Sequence, residues 1–424
     1  MLDIKFIREN PDLVKKDIKN KGFQVNIEQL LELDRKRRNL IKKIDELRAE
    51  RNEISEGIKD NPQLMKKAKE LKEKIIEREK SLRKIKSKFE ELLLSLPNLP
   101  LEDVPVGKDE RDNVLIREWG KKPKFDFQPK DYLEIAQKLD IIDVKRAAKV
   151  SGTRFGYLKK EAVLLAFALI DFALQFLIKK GFVPLLPPVM IRPEMMMAMG
   201  YLEKSKVESQ KSKVGEELYF LRDDDLVLVG TAEQSIGPMH ANEIFEEREL
   251  PKRYLAFSSC FRREAGAYGK DTKGIFRVHQ FEKLEMFSFT KPEDSKKEHH
   301  FFLSLQEKLM QKLKIPYRVV QMCTGDLGMP TAAKYDIEAW FPSENRYRET
   351  HSCSNCTDFQ ARRLNIRYRN KEGKLNFLHT INGTAFALGR TIIAIIENYQ
   401  TKKETIIVPE VLRQKVGKKE IGTF

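Results

Sequence analysis

Cysteine is scarce in this sequence. Only Cys260, Cys323, Cys353 and Cys356 occur in 424 residues, too few to staple a chain of this size, so a disulfide scaffold is excluded and a reducing compartment is expected. A secretory signal is also missing. The opening MLDIKFIREN carries charge at Asp3, Lys5, Arg8 and Glu9 with no apolar h-region, and the expected location is cytoplasmic. Long hydrophobic runs are absent too. The longest, AVLLAFALIDFALQFLI from Ala162 to Ile178, falls short of the roughly 20 residues a membrane span needs and is interrupted by Asp171 and Gln175. It reads as a buried helix, and no membrane is expected as a partner. No repeat of solenoid length is apparent.

What is abundant is charge of one sign. Lys and Arg number 80 against 64 Asp and Glu, a net charge of +16, while 41% hydrophobic content suffices for a core in a chain long enough for two or three domains. Such a balance favours a polyanionic partner. Half of the excess lies in one segment: residues 34–90 hold 20 basic and 12 acidic side chains. In the same segment apolar or seam-compatible residues recur three and four apart. One series is Leu30, Leu33, Arg37, Leu40, Ile44, Leu47, Arg51, Ile54 and Ile58; after Asp60-Asn61-Pro62 another runs Leu64, Ala68, Leu71, Ile75, Arg78, Leu82, Ile85, Phe89 and Leu92. Two heptad helices joined by a short breaker must fold back on each other, which predicts an antiparallel coiled-coil hairpin about 45–50 Å long. A mixed-charge helix surface is ordinarily just solvated. Here the runs Arg35-Lys36-Arg37-Arg38 and Lys66-Lys67 on a projecting rod suit a phosphate backbone, without reading its sequence.

Beyond the hairpin the proline-rich LPNLPLEDVPVG at 96–107 reads as a linker. The expected division is residues 1–105 for the hairpin domain, 106–130 for a linking stretch and 131–424 for one α+β domain. Strand-like segments are ELYFL at 217–221, RYLAFSS at 253–259, EKLEMFSF at 282–289 and YRVVQM at 317–322, with helices at about 161–179, 294–313 and 389–399. They predict a largely antiparallel sheet flanked by helices.

Two segments stand out. Phe261–Phe287, FRREAGAYGKDTKGIFRVHQFEKLEMF, is a glycine-punctuated basic loop between strand-like ends, and NGTAFALGRTIIAIIENY at 382–399 sets Arg390 at the start of an apolar helix. Each alone fits a solvated loop as well as a phosphate site. In order along the chain they resemble the signature motifs of class II aminoacyl-tRNA synthetases: GFVPLLPPVMIRPE at 181–194 is similar to motif 1, FRRE at 261–264 with RVHQFEKLEMF at 277–287 to motif 2, and GTAFALGR at 383–390 to motif 3. Within the class, GTAE at 230–233, CTGDLG at 323–328, SCSNCTDFQARR at 352–363 and the basic hairpin resemble the seryl-specific family.

The resemblance implies activation of L-serine with ATP and transfer of the seryl group to the 3′ end of tRNA(Ser), and also to tRNA(Sec) where the host has one. It implies a homodimer joined through motif 1. Arg262 matches the arginine on the α-phosphate and substrate carboxylate, Arg390 the one on the γ-phosphate, Glu264 the adenine acceptor, Phe281 the ring beneath adenine and Arg277 a further phosphate contact. Glu349 and Ser352 match ligands of Mg2+, which prefers few protein ligands because it keeps its waters. Thr231, Glu233, Glu285, Asn382 and Thr384 match residues around the serine amino group and hydroxyl. Lys270 and Lys273 would meet the acceptor end of the tRNA, and the hairpin its long extra arm.

The stretch HSCSNC raises a zinc reading through His351, Cys353 and Cys356. No second Cys-x-x-Cys or His-x-x-x-His completes the set, and zinc is not expected. His351 stands where the family commonly has serine, which leaves its role open, and Arg263 is expected to point away from substrate. Two alternatives stay open: an amino acid carrier-protein ligase, which would lack the hairpin, and a non-catalytic RNA-binding paralogue, which would lose some of Arg262, Glu264, Glu349 and Arg390.

Overall fold

The computed structural model describes residues 1–56, 62–202, 217–264 and 273–422, in two compact units, 1–97 and 98–424. In the first unit the short helices α1 (Ile4–Glu9) and α2 (Pro11–Asn20) precede the long α3 (Ile27–Glu56) and α4 (Pro62–Leu94). Asp3 caps α1 by accepting from the Lys5 amide, and Pro11 opens α2 at a position where its missing N–H is no loss. The long helices run antiparallel: Arg37 lies over the Phe89 ring at 4.7 Å, and Arg48 reaches Glu79 at 2.7 Å. Heptad spacing picked residues of the seam, for Leu30, Ile44, Leu71, Ile75 and Phe89 are buried and Arg37, Leu40, Leu47, Arg78 and Leu82 are half-buried. Ile58 lies outside the described residues. One acidic residue joins the seam unforeseen: Asp34 is buried, with Arg37 at 2.8 Å, Arg38 at 2.9 Å and Arg8 at 3.6 Å.

The second unit is built on an eight-stranded sheet. In chain order its strands are β1 (Val114–Trp119), β2 (Phe182–Leu185), β3 (Lys252–Phe261), β4 (Gln280–Thr290), β5 (Tyr317–Gln321), β6 (Ala333–Phe341), β7 (Arg346–Asn355) and β8 (His379–Ala387). They lie side by side as β1-β5-β6-β7-β8-β4-β3-β2, antiparallel throughout except for the parallel β2–β3 pair. Strand β1 falls inside the stretch 106–130 read as a linker, and forms the sheet edge against β5. Of ELYFL, only Phe220–Leu221 is strand, and it belongs to a separate three-stranded sheet.

One face of the large sheet is apolar. Leu255, Leu284, Met286, Tyr335, Ile337, Phe341 and Phe386 pack there against α5 (Glu161–Ile178), α6 (Ser295–Leu313) and α7 (Leu388–Asn398). The helix α5 is long and apolar enough to cross a membrane by length and composition, but Leu165, Leu169, Ala173 and Leu177 are buried in this core. It is not buried all round, as its sequence led one to expect: Phe167 is 65% exposed on its outer face.

The opposite face of β4, β6, β7 and β8 is polar, and two irregularities decide what it carries. Between β6 and β7 the register shifts, so that His351 pairs with Ile337 and Glu349 with Glu338, leaving Thr350 as an extra residue. Between β4 and β8 the partners step from Leu284–Phe386 to Glu285–Thr384, leaving Ala385 extra. The β7–β8 ladder itself is brief and ends at Cys353–Gly383. Beyond it the two strands part, and the amide of the fully buried Gln306 on α6 donates to the carbonyls of Ser352 at 2.7 Å and Thr384 at 2.8 Å. Gly383 suits this place, since a Cβ would lie 3.2 Å from the Gln306 amide nitrogen.

Replacing Gln306 by Leu leaves two buried carbonyls unpaired, each worth about 1–3 kcal/mol. A drop in unfolding free energy of about 2–4 kcal/mol is expected for the second unit, read from the denaturant midpoint.

Candidate active site

The polar face carries a connected network of charge. At its centre is a residue the motif comparison passed over, Lys283 on β4, which is buried and donates to Thr231 Oγ1 at 2.7 Å while pairing with Glu285 at 2.7 Å. Glu285 in turn accepts from Thr384 Oγ1 at 3.3 Å across the β4–β8 ladder. A lysine alternating with a glutamate inside an otherwise apolar strand was the available signal, because residues two apart share a face. Asn382 lies on the same face of β8 and reaches the Cys356 sulfur at 3.7 Å.

Glu233 opens a short helix, Glu233–Ile236, and the loop before it is closed by Gln234 Oε1, which accepts from the Gly230 amide at 2.7 Å. The Tyr201 hydroxyl donates to the Glu233 carboxylate. Burial, and then the nearby charge of Glu285, push the Glu233 carboxyl up to about 7. Below the ordinary value of 4.5 the group is protonated in folded and unfolded chains alike. As pH rises from there to about 7 only the unfolded chain ionises freely, and the fold loses about 3 kcal/mol that a bound cation could restore.

Beside this cluster lie the basic residues. Arg262 follows β3; its Nε donates to the Gly230 carbonyl at 3.1 Å and its guanidinium sits 5.4 Å from the centre of the Phe281 ring. Glu264 has φ of +52° and accepts from Arg277 Nη1 at 2.8 Å. Arg390, in the first turn of α7, donates to the Glu349 carbonyl at 3.1 Å, pairs with its carboxylate at 3.2 Å and lies over the Phe276 ring at 4.8 Å. Burial would raise the Glu349 carboxyl, yet Arg390, Lys334 and Arg262 outweigh it and hold that group well below the usual range. Lys334 also pairs with Asp336 at 3.1 Å.

The extra residue at Thr350 explains a spacing that strand periodicity forbids. Residues three apart on a regular strand point to opposite faces, but the bulge brings Glu349 and Ser352 onto the same polar face. It also turns His351 the other way. That ring is buried, lies 5.9 Å from Phe386 and 2.8 Å from Thr350 Oγ1, and burial holds it down at about 4, so it packs in the core as a neutral imidazole. Cys353 shares that apolar face, and burial pushes its thiol well up. Among the described residues no group of three or more His, Cys, Asp or Glu could hold a metal ion. Arg263 is exposed, as is Lys273, while Lys270 lies outside the described residues.

Residues 219–399 match the class II tRNA synthetase core domain of the G, H, P, S and T enzymes, and residues 1–100 match the seryl-tRNA synthetase N-terminal domain. The serine–tRNA ligase of Dictyoglomus thermophilum is 47% identical over 429 residues, covering 99% of both chains. The chain belongs to the serine–tRNA ligase family. It is a class II aminoacyl-tRNA synthetase, a ligase that uses ATP. Among solved structures the family's fold is shared with the seryl-tRNA synthetase of Pyrococcus horikoshii complexed with ATP, at a TM-score of 0.92 and 44% identity over 99% of both chains. The cytoplasmic serine–tRNA ligase of Naegleria fowleri in complex with AMP gives 0.88 and 36%, over 99% of this chain and 98% of that one.

Replacing Glu285 by Gln removes the second cause of the Glu233 shift. The Glu233 carboxyl is then expected to fall toward its ordinary value, and the loss of stability between pH 5 and 7 to flatten, as followed by the denaturant midpoint against pH.

Proposed function

We propose that the chain charges tRNA(Ser) with L-serine in two steps on the polar face of the sheet. The serine carboxylate attacks the α-phosphorus of ATP, pyrophosphate leaves, and a seryl-adenylate anhydride results. The 3′-terminal hydroxyl of the tRNA then attacks the anhydride carbonyl and AMP leaves. A carboxylate is already a nucleophile, so the first step needs no general base; it needs cations placed where phosphate charge accumulates. The observation that carries the reading is that two arginines act on the single carboxylate Glu349, Arg390 by pairing with it at 3.2 Å and Arg262 through its charge, on a face that also holds the buried carboxylates Glu233 and Glu285.

In this reading Arg262 holds the α-phosphate and the substrate carboxylate, Arg390 the γ-phosphate, and Arg277 a further phosphate. Adenine stacks on Phe281 and donates its amino group to Glu264, whose carboxylate has acceptor capacity beyond its bond to Arg277. Glu233 and Glu285 take the serine ammonium, with Thr231, Asn382 and Thr384 around the hydroxyl. A site that hydrogen-bonds a hydroxyl rejects analogues lacking it far better than an apolar pocket sorts by size. Mg2+ fits the residues present: Glu349 is kept ionised, the bulge sets Ser352 beside it, and a pair of ligands suits an ion that keeps its waters. Glu349 and Ser352 would hold it, and when bound it neutralises phosphate charge.

The hairpin takes the long extra arm of the tRNA. Arg35, Lys36, Arg38, Lys66 and Lys67 are exposed along it, and Arg37 is partly so; contacts of this kind read shape and phosphate rather than bases. Lys270 and Lys273 would approach the acceptor end. Charging of tRNA(Sec) follows wherever that tRNA carries a similar arm. The enzyme works in the cytoplasm, with the rest of translation. In this reading the first unit, 1–97, binds tRNA and the second, 98–424, whose sheet takes its edge strand β1 from the stretch 106–130, carries catalysis.

A homodimer is part of the proposal. Leu164, Phe167 and Ile178 on α5 and Val183 and Leu186 in and just after β2 are exposed, Leu186 at 79%, and large apolar side chains exposed on two successive elements are what an interface would cover.

Pyrophosphate exchange without tRNA is expected with serine and not with the other amino acids, and to vanish in Arg262→Ala. Deleting residues 30–93 is expected to leave exchange nearly intact and to abolish tRNA charging; charging retained by the deletion would remove the hairpin from the mechanism. Phe167→Asp is expected to convert the dimer to monomer in sedimentation, and an unchanged mass would place the interface elsewhere.

A further inference from the structure

Four acidic groups gather around the polar ends of β5, β6 and β7, and three have partners for what they expose. Glu349 is paired with Arg390, Glu338 with Arg318, and Asp326 accepts from Asn113. Asp336 is different. It is 6% exposed, one of its oxygens is held by Lys334 at 3.1 Å, and Oδ1 is buried with no hydrogen-bond partner. Among the described residues it is the only carboxylate oxygen left so. An unmet acceptor on a buried charge is expensive, and a native chain keeps one where something else supplies the donor.

The register says where that oxygen looks. Asp336 stands directly across the β6–β7 ladder from Ser352, on the polar face, and Glu338, its next neighbour on that face, stands across from Glu349. Side chains directly opposite in an antiparallel pair have Cβ atoms about 4.5–5.5 Å apart. Asp336 is therefore a near neighbour of both groups assigned to magnesium, directly across from Ser352 and next on that face to the residue across from Glu349.

We propose that Asp336 is a positioning residue for the magnesium ion: Oδ1 accepts a hydrogen bond from a water of the ion's shell, while Lys334 pins the other oxygen. Magnesium retains several waters when it binds protein, and outer groups that hold such waters tune its affinity. The proposal rests on the assignment of Glu349 and Ser352 as ligands. Lys334 is not a competing ligand in it, only the group that fixes the carboxylate's orientation.

The test is a titration of the full-length protein with Mn2+ in the presence of ATP and without serine, reading free Mn2+ by electron paramagnetic resonance. Asp336→Asn is expected to weaken Mn2+ binding about 10–100-fold while leaving metal-free ATP binding unchanged. Lys334→Met, which removes a positive charge and keeps the carboxylate, is expected to leave Mn2+ binding equal or tighter. Glu349→Gln serves as the control for the assignment beneath. If Glu349→Gln weakens Mn2+ and Asp336→Asn does not, the proposal is wrong and the ligand assignment stands. If Glu349→Gln has no effect, the assignment itself fails and takes the proposal with it. Equal weakening in Asp336→Asn and Lys334→Met would reduce the pair to a structural support and overturn the proposal. Should Asp336→Asn not fold, Lys334→Met decides alone: equal or tighter binding supports the proposal, weaker binding overturns it.

Discussion

The insertion of Thr350 into the β6–β7 ladder governs which face each of its neighbours occupies. With the strand regular, Glu349 and Ser352 would point apart, and His351 would share a face with Glu349. With one extra residue, both groups lie on the polar face and the imidazole enters the apolar core against Phe386. The second irregularity at Ala385 does the same for β8, keeping Thr384 opposite Glu285. Bulges of this kind re-aim side chains without disturbing the rest of a sheet. Gln306 closes the gap that the parting strands leave, so the helix layer beneath and the site above are coupled through two carbonyls.

On this face cations pair with the acids beside them: Arg390 with Glu349, Arg277 with Glu264, Lys283 with Glu285. Each pair leaves neither charge alone on the polar face. Glu233 is the exception, since it shares its surroundings with Glu285 and meets a tyrosine hydroxyl instead of a cation. A site that is short of one positive charge is suited to a substrate that brings an ammonium group. In the proposed reading, an ammonium bound there relieves a repulsion that the folded chain already carries.

The first unit shows how little of a charged surface is decided by charge alone. Of the four basic residues at 35–38, Arg37 turns into the seam, over Phe89 and onto Asp34, and Arg38 is held by the same carboxylate. Asp34 so orders arginines from two different helices, Arg8 among them, at one end of the hairpin. Paired guanidinium groups of fixed orientation lose less freedom on meeting a phosphate than free ones do.

The hairpin was legible because heptad spacing is a local property, and the long helices 161–178, 295–313 and 388–398 were legible because their apolar periodicity is unbroken. Strands β6, β7 and β8 went unread as strands: β6 alternates cleanly from Lys334 to Ala339 and was passed over, while the extra residues Thr350 in β7 and Ala385 in β8 break the period of two. Strand β1 was taken for linker because all its residues are exposed and what holds it is distant in sequence: pairing with β5, about 200 residues away, and the ion pair of Arg117 with Glu307 on α6. The motif residues themselves could be named from sequence, one by one. What tertiary structure alone decided was their faces and their neighbours: Lys283 between Thr231 and Glu285, His351 inward, Asp336 beside Ser352. A bulge changes the face of every residue after it, and whether a ladder slips by one residue depends on the partner strand, which no stretch of sequence contains.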